Sequence, residues 1–580
     1  MPQQLPSYTL GIFCYGSHDS AIALIDKNGL LCFAAEEERY DRVKHSSQFP
    51  LQSLESAMKE LGITWRDINS SAVAWNPYLH LPRIASFLVT QPKRIHSFLF
   101  KKKQEQASRT SRWNKIRSIP IRLKSLGFQG SCTFLDHHKC HAASAFYGSG
   151  FEKALCLTVD GNGEFATTAI HLADKSGIKT LWQSFYPNSL GHFYATITQY
   201  LGFAPLNDEY KVMGLAAYAK PIIHSKITES FADIVTTKTS APFALNTKYF
   251  QFHQGYDHMW SPLLEKRLGP ARTSGDIISE RHTEIAAAVQ MCTNTAILRL
   301  AKFAAELAPG VDTLCMAGGV ALNCVANEAL FQSNIFKKIF FQPAAHDAGS
   351  ALGAAFLLHQ KQTKKNPQVP KHYDLGPSFS EKEIRIALGD LAKKIHALDP
   401  ESLAKKTAQA IHEEKIIAWF TGKMEFGPRA LGNRSILSNP GKVEFRDRLN
   451  KIIKHREDFR PFAPVVCAED AEKYFALNGS ASPFMMRTVP IHKKYQSQLK
   501  AVAHVNQSAR VQTLYREQNP LLHQALKEYE KLSGLPIFLN TSLNRNGEPI
   551  ACTPKHAIDI FMKTSIDCLV IGNFFLEKPL

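Results

Sequence analysis

Short apolar runs that end in polar, glycine-containing turns recur along this chain, and they constrain its fold more than any other feature. Residues 154–159 lead directly into Asp160-Gly-Asn-Gly, and residues 313–317 lead into a Gly-Gly turn. Glycine permits such turns and lets the backbone approach an anionic ligand, because it has no Cβ atom. Residues 284–307, between the two runs, have the periodicity of a helix. The chain is therefore predicted to be an α/β protein.

The length of the chain and one exposed connection predict two domains. At 580 residues the chain is longer than a single hydrophobic core usually supports. Residues 361–372 are polar and basic and contain prolines, as an exposed connection does. We therefore predict a first domain over residues 1–362 and a second over residues 363–580, in which helical and strand-like segments again alternate.

The composition and the N-terminal sequence predict a cytoplasmic protein. The chain is 44% hydrophobic with a mean hydropathy of -0.20, which is typical of a soluble globular enzyme. Its first residues lack the basic segment and the long apolar stretch of a signal peptide. Since no apolar run reaches the length of a transmembrane helix, we expect no association with a membrane.

Two histidines four residues apart, His137 and His141, predict a metal site. On a helix they share one face, so both imidazoles can bind one cation. Asp347, at the start of a helix rich in small residues, is a candidate for an additional carboxylate ligand. Taken alone, the pair is more simply interpreted as two surface or core histidines. The nearby glycine turn at Asp160 favours metal bound beside phosphate.

Basic residues on glycine and proline turns predict a polyphosphate site in the second domain. Arg429 and Arg434 lie among three glycines, and Lys454 and Arg460 lie in a segment with two prolines. Guanidinium groups bind phosphate oxygens in pairs, and lysine adds a point charge. The strand-like residues 535–543 end in small polar side chains, which commonly bind ligands at strand ends of α/β sheets.

A basic segment stands out against the net charge of +18. Residues 93–124 contain eleven Lys or Arg residues and one acid, a composition that can bind nucleic acid or an acidic surface. The interleaved aromatic side chains of a base-stacking surface are not evident here. A solvated, partly helical insertion is therefore the favoured interpretation.

In these motifs the chain resembles the O-carbamoyltransferases of the nodulation-protein U and antibiotic-biosynthesis family, over nearly its whole length. So many matches in the same order make the resemblance highly specific. The matching stretches are HDSAIALI (18–25), EEERYDRVKH (36–45), HHKCHAASAFY (137–147), VDGNGE (159–164), YKVMGLAAY (210–218), GGVALN (318–323), HDAGSALGAA (346–355), FGPRALGNRSIL (426–437), REDFRPFAP (456–464) and NTSLNRNGEP (540–549).

The resemblance implies a two-domain enzyme. The first domain would be similar to the actin-like (ASKHA), metal-containing subunit that transfers threonylcarbamoyl to transfer RNA, and the second to threonylcarbamoyl-adenylate synthase. The second domain would form carbamoyl-adenylate from carbamoyl phosphate and ATP, with Mg²⁺ accompanying ATP. The first would then transfer the carbamoyl group to a hydroxyl of a small-molecule acceptor, such as a secondary metabolite, and leave AMP.

The resemblance also implies roles for particular residues. His18, with Asp19 beside it, matches the residue that takes the acceptor's proton, although it could instead bind a phosphate oxygen. Lys454 and Arg460 match cations that neutralise charge during adenylation. The implied metal ligands, for a divalent metal expected to be Fe(II), are His137, His141, Asp160 and Asp347. The implied nucleotide and carbamoyl contacts are Gly318, Gly319, Asn323, Arg429, Met485, Arg510, Asn540 and Ser542.

Two other functions stay open. A transfer-RNA-modifying (threonyl)carbamoyltransferase would explain the basic charge, although the match is to fused small-molecule enzymes, so nucleic acid is not the favoured partner. An actin-like ATPase or kinase would leave the arginine-rich motifs of the second domain without a purpose. For its oligomeric state, we consider a homodimer of this chain.

Overall fold

The computed structural model describes residues 7–16, 18–79, 103–220, 226–236, 241–253, 257–453, 456–457 and 459–578. It divides into two compact units. The first contains residues up to 37 and residues 45–370, and the second contains residues 38–44 and the chain from 371 onwards. The boundary between residues 362 and 363, and one activity for each domain, stay predictions.

The first unit contains two five-stranded sheets. The first sheet has the order β3-β2-β1-β4-β5. Its strands are β1 (Tyr8–Phe13), β2 (Ala21–Asp26), β3 (Leu31–Glu36), β4 (Ile68–Val73) and β5 (Ser131–Phe134). Strands β1, β2 and β3 pair antiparallel, and β1, β4 and β5 pair parallel.

The second sheet of this unit repeats the same arrangement. Its order is β12-β11-β6-β7-β8, in which β6, β7 and β8 pair antiparallel and β6, β11 and β12 pair parallel. A repeated 3-2-1-4-5 topology is that of the actin-like class, so the actin-like α/β fold predicted for the first domain is confirmed. The strands, with the separate pair β9–β10, are β6 (Lys153–Gly163), β7 (Ala166–Asp174), β8 (Gly177–Phe185), β9 (Val235–Thr236), β10 (Ala244–Leu245), β11 (Thr313–Ala317) and β12 (Lys338–Phe341).

Glycines set the close packing of helix α11 (Asp347–Thr363) on the first sheet and on helix α4 (His137–Ser149). A Cβ atom on Gly11 of β1 would lie 1.9 Å from the carbonyl oxygen of Ala351, and one on Gly353 would lie 1.7 Å from that of Cys140. Only glycine allows backbones to approach so closely. The helices up to residue 363 are α1 (Glu38–Asp41), α2 (Leu51–Leu61), α3 (Lys103–Ser125), α4 (His137–Ser149), α5 (Leu190–Tyr200), α6 (Glu209–Leu215), α7 (Lys226–Ile234), α8 (Pro262–Leu268), α9 (Glu280–Leu307), α10 (Cys324–Gln332) and α11 (Asp347–Thr363).

The second unit is built on a seven-stranded mixed sheet with hydrophobic cores on both faces. The order is β18-β15-β19-β14-β13-β20-β21, and a separate pair is β16–β17. The strands are β13 (Ile417–Phe420), β14 (Arg434–Ser438), β15 (Ala463–Cys467), β16 (Val489–Pro490), β17 (Ser508–Ala509), β18 (Gln512–Leu514), β19 (Ile537–Ser542), β20 (Cys568–Ile571) and β21 (Phe574–Glu577). The helices are α12 (Glu381–Leu388), α13 (Pro400–His412), α14 (Val443–Arg448), α15 (Ala471–Tyr474), α16 (Pro520–Ser533) and α17 (Pro554–Lys563).

A short segment from the N-terminal part of the chain belongs to this second unit. Arg39 donates to the carbonyl oxygen of Gly427 at 2.7 Å, and Arg42 donates to the carbonyl oxygens of Pro549 and Ile550 at 2.6 and 2.7 Å. Since each unit combines helices with a mixed β-sheet, the predicted α/β class holds for both. Among the helices described, none combines the length and apolar character needed to cross a membrane.

Candidate functional site

Four side chains of the first unit meet at the candidate metal centre. His137 and His141 lie on α4, Asp160 on β6, and Asp347 is the first residue of α11. The His137 and His141 Nε2 atoms are 3.0 Å apart. His137 Nε2 lies 3.3 Å from one oxygen of each aspartate, and His141 Nε2 lies 3.3 and 3.6 Å from the same two oxygens. The four residues predicted from the sequence are thus brought together, and all are buried.

The surroundings orient these ligands. His137 Nδ1 donates to the carbonyl oxygen of Ala74 at 3.0 Å, which leaves the Nε2 lone pair facing the cluster. Burial alone would raise the pKa of the Asp160 carboxyl, but the adjacent His137 and His141 imidazoles outweigh it when they are protonated and hold that pKa well below its usual value. The buried Glu164 carboxylate accepts from the backbone N–H of His137 and of Asn76. The sequence interpretation missed Glu164, although it ends the VDGNGE motif.

The donor set fits a divalent transition metal. For ligand bonds of about 2.1 Å at right angles, two nitrogens on one ion would be about 3 Å apart, as His137 and His141 Nε2 are. Among the described residues, the buried His141 Nδ1 has no hydrogen-bond partner. Two imidazoles with two carboxylates suit such a metal but do not identify it.

The glycine turn after β11 lies directly against this cluster. Asp160 Oδ1 accepts from the Gly319 N–H at 3.3 Å, and a Cβ atom on Gly318 would lie 2.3 Å from the carbonyl oxygen of Val159. Gly318 has a φ of +89°, which favours glycine. Asn323 follows on the same turn and caps α10. The turn implied to hold adenosine is therefore placed beside the candidate metal ligands.

His18 belongs to a chain of side chains that the sequence interpretation found only in part. His18 Nδ1 lies 2.7 Å from Asp19 Oδ2, and the other Asp19 oxygen lies 2.7 Å from His45 Nδ1. The remaining ring nitrogen of His45 is 2.9 Å from Asn207 Oδ1. Asp19 and His45 have φ values of +62° and +56°, a strained backbone that often marks functional sites. The signal for His45 was the end of the EEERYDRVKH motif.

The electrostatics around His18 favour its protonated form. Burial disfavours the imidazolium, but Asp19, together with Asp347 and Asp160, outweighs burial and raises the pKa of His18 to about 10. A cation bound between Asp347 and Asp160 would offset the charge of those two carboxylates. The protonation of His18 therefore depends on whether the candidate metal centre is filled.

In the second unit, the predicted residues gather at one edge of the sheet. The start of β15 lies opposite the end of β19, with Ala463 paired to Asn540. Strand β18 runs parallel to β15, and β14 runs antiparallel to β19. The same edge therefore carries the residues before β14, β15 and β18 and those at the end of β19. The predicted residues at this edge are Arg429, Arg460, Arg510, Asn540 and Ser542.

Asn540 is an acceptor suited to a carbamoyl group at this edge. Its Nδ2 donates to Gln512 Oε1 at 2.8 Å and to the carbonyl oxygen of Ala430 at 3.3 Å. Its Oδ1 is buried without a hydrogen-bond partner among the described residues. Because an unsatisfied buried acceptor costs roughly 1–3 kcal/mol, it points to a missing donor such as a ligand N–H group. Met485, also predicted, is buried with a φ of +56°, and Lys454 lies outside the described residues.

Arg434 is a structural residue, contrary to its sequence interpretation as a phosphate ligand. Its side chain is fully buried and donates to the carbonyl oxygens of Thr421, Gly422, Asn433 and Pro377 at 2.6–3.2 Å. Burial lowers the pKa of Arg434 to about 10. Sequence spacing could not distinguish this arginine from Arg429, because the difference is one of tertiary burial.

Replacing Arg434 with leucine is expected to destabilise the second unit by about 3–5 kcal/mol, since buried polar partners would be left unpaired. Unfolding followed by the fluorescence of the buried Trp419 measures this. Arg516→Leu, at an exposed position, is the matched control and should change stability by no more than about 0.5 kcal/mol. Equal stability of both variants would contradict the structural role of Arg434.

Comparison with known families matches both parts of the chain. The family profile described as Carbamoyltransferase N-terminus matches residues 8–356, and Carbamoyltransferase C-terminus matches residues 408–578. Nodulation protein NolNO of Sinorhizobium fredii is 34% identical over 97% of this chain and 79% of that protein. A protein of unknown function from Synechocystis is 36% identical over 99% and 97%, respectively. Nodulation protein U of Bradyrhizobium diazoefficiens is 26% identical over 92% and 91%.

Among solved structures, the chain is similar to component A of the (R)-2-hydroxyglutaryl-CoA dehydratase of Acidaminococcus fermentans. The sequence identity is 14%, the TM-score is 0.33, and the match covers 62% of this chain and all of that one. A similarity at this level carries no argument about function.

Proposed function

The chain belongs to the carbamoyltransferase family, and from this premise we propose that it is an ATP-dependent O-carbamoyltransferase whose units catalyse two successive half-reactions. One observation carries the proposal: each unit has its own cluster of polar side chains. The histidine–aspartate cluster and His18 occupy the first unit, and Asn540 with its neighbouring arginines occupies the second. Two separate sites suit a reaction that proceeds through an activated intermediate.

The second unit is assigned the adenylation step. Water first hydrolyses carbamoyl phosphate, so that the bond between the carbamoyl and phosphate groups breaks and inorganic phosphate leaves. An oxygen of the resulting carbamate then attacks the α-phosphorus of ATP, the bond to the β-phosphate breaks, and pyrophosphate leaves. Arg429, Arg460 and Arg510 neutralise the developing charge, and Asn540 Oδ1 accepts a hydrogen bond from the carbamoyl NH₂ group. Lys454 is proposed to assist from the resemblance alone, and Mg²⁺ is proposed to accompany ATP.

The first unit is assigned the transfer step. The acceptor's hydroxyl oxygen attacks the carbamoyl carbon, the bond to the phosphate oxygen breaks, and AMP leaves. The hydroxyl proton passes to His18 Nε2, while Asp19 and His45 hold the imidazole in place. A divalent metal held by His137, His141, Asp160 and Asp347, proposed as Fe(II), would supply positive charge for the phosphate of the leaving AMP.

Product analysis of the purified protein tests this function without an acceptor. We expect pyrophosphate release from ATP that depends on carbamoyl phosphate. ADP as the product, or ATP turnover indifferent to carbamoyl phosphate, would instead support a kinase or ATPase. The acceptor is proposed to be a small-molecule alcohol, for example a secondary metabolite. A cytoplasmic location and a homodimer stay predictions.

A further inference from the structure

Helix α3 carries a positive charge that the acidic residues within residues 80–125 cannot compensate. Within Lys103–Ser125 there are seven Lys or Arg residues and one acid, Glu105. The preceding residues 80–102 contain no Asp or Glu at all. Whatever conformation those residues adopt, they add no carboxylate to this helix. Any carboxylate that compensates its charge, apart from Glu105, must therefore come from another part of the chain.

Several charged side chains in the C-terminal half of α3 lie on its exposed face. Ile116, Ile119 and Leu123 are completely buried and hold the helix against the unit. Lys115, Arg117 and Arg122 are exposed. The insertion is therefore docked through an apolar face and presents its cations outward.

These three cations contact aromatic rings rather than carboxylates. Arg122 donates to the Tyr15 hydroxyl at 2.7 Å. The Lys115 ammonium lies 5.9 Å from the centre of the Tyr15 ring, and the Arg117 guanidinium lies 5.7 Å from that of Tyr78. Within the described part of the chain, no Asp or Glu forms an ion pair with any of the three. No carboxylate of the described residues therefore neutralises their charge.

Both tyrosines belong to the loops that surround the transfer site. Tyr15 lies in the turn between β1 and His18. Tyr78 follows β4, and its ring centre is 5.9 Å from that of Phe134, the last residue of β5. Because β1, β4 and β5 are parallel, their carboxyl ends share one edge of the sheet. His137 follows β5 at the same edge, so the cations of α3 lie at the rim of the transfer site.

We propose that the acceptor is an alcohol that also carries an anionic group, and that Lys115, Arg117 and Arg122 bind this group. The inference rests on the proposed transfer function. The nucleotide already has the glycine turn after β11 and the candidate metal centre, which leaves the cations of α3 for the other substrate. Phosphate, sulfate and carboxylate share the required chemistry, since each pairs with guanidinium and ammonium groups.

A matched acceptor screen tests the proposal. The probes are glucose, glucosamine, glucose 6-phosphate, glucose 6-sulfate and glucuronic acid, with inositol and inositol 1-phosphate as a second skeleton. AMP release is measured with ATP and carbamoyl phosphate, and the carbamate product is identified by mass. We expect stimulation by anionic members only, and the phosphate, sulfate and carboxylate probes distinguish which anion is preferred.

Variants of α3 then test the three residues. Lys115→Ala combined with Arg117→Ala should raise the KM for the anionic acceptor by roughly 10-fold or more while kcat changes little. Lys124→Ala, an exposed cation on the same helix, is the control and should leave KM unchanged. In the unaltered protein, the same KM should rise with ionic strength.

The possible failures can be distinguished. Absence of pyrophosphate release that depends on carbamoyl phosphate means that the proposed function itself fails. If that release is intact, the inference is overturned by a neutral or cationic probe that matches its anionic counterpart, or by inactivity of every anionic probe. Transfer RNA that stimulates AMP release where the small alcohols do not would also overturn it.

Discussion

Arg510→Ala is expected to lower pyrophosphate release that depends on carbamoyl phosphate by about 10²–10³-fold, the usual cost of removing one preorganised charge-stabilising donor. Arg510 precedes β18 at the edge that carries Asn540. Arg516 follows the same strand at its opposite end and is exposed, so Arg516→Ala is the matched control. It should retain the rate of the unaltered protein.

His137→Ala should impair the half-reaction that Arg510→Ala is not expected to affect directly, which is carbamoyl transfer. It removes a ligand of the candidate metal centre and should abolish carbamoyl transfer, while pyrophosphate release persists. Transfer is followed as acceptor-dependent AMP release, and metal loss is followed by Co²⁺ titration of the purified variant. Loss of both half-reactions in a folded His137→Ala protein would show that the steps are not divided between the two units as proposed.

His18→Asn is expected to reduce carbamoyl transfer by about 10²–10⁴-fold, the usual contribution of a positioned general base. Pyrophosphate release should be unchanged, because the adenylation step is assigned to the second unit. The variant keeps a polar side chain of similar size, and His412→Asn, at an exposed position on α13, is the control. Comparable loss of both half-reactions in His18→Asn would refute the assignment of His18.

The pH dependence of transfer separates the two roles that the sequence left open for His18. Its pKa is raised to about 10, and only the neutral imidazole can accept a proton. If His18 acts as a base, the transfer rate therefore rises with pH below that pKa. This rising limb of the pH–rate profile should disappear in His18→Asn. A bound cation that offsets Asp160 and Asp347 should move the limb to lower pH. If His18 instead acts as an imidazolium that binds phosphate, the rate will fall as the pH rises through its pKa.

The candidate metal centre shows how far sequence reasoning reaches. The spacing of His137 and His141 depends only on helix geometry, so local pattern was enough to pair them. The additional carboxylates come from α11 and β6: Asp347 was a candidate from its place at the start of a helix, whereas the assignment of Asp160 as a ligand needed the family resemblance. Glu164 and Asn207 escaped notice because hydrogen bonding to a distant backbone or ring leaves no periodic signal in the sequence.

By itself, the sequence determined the local elements of this protein: its strand-ending glycine turns, the shared face of the histidine pair and the charge of the α3 insertion. Each follows from neighbours along the chain, through backbone sterics, helix periodicity or composition. Only the tertiary structure decided that Arg434 is buried, that His45 shares Asp19 with His18, and that Arg122 of α3 donates to the Tyr15 hydroxyl. These outcomes depend on packing between segments far apart in sequence, and local propensity carries no information about such contacts.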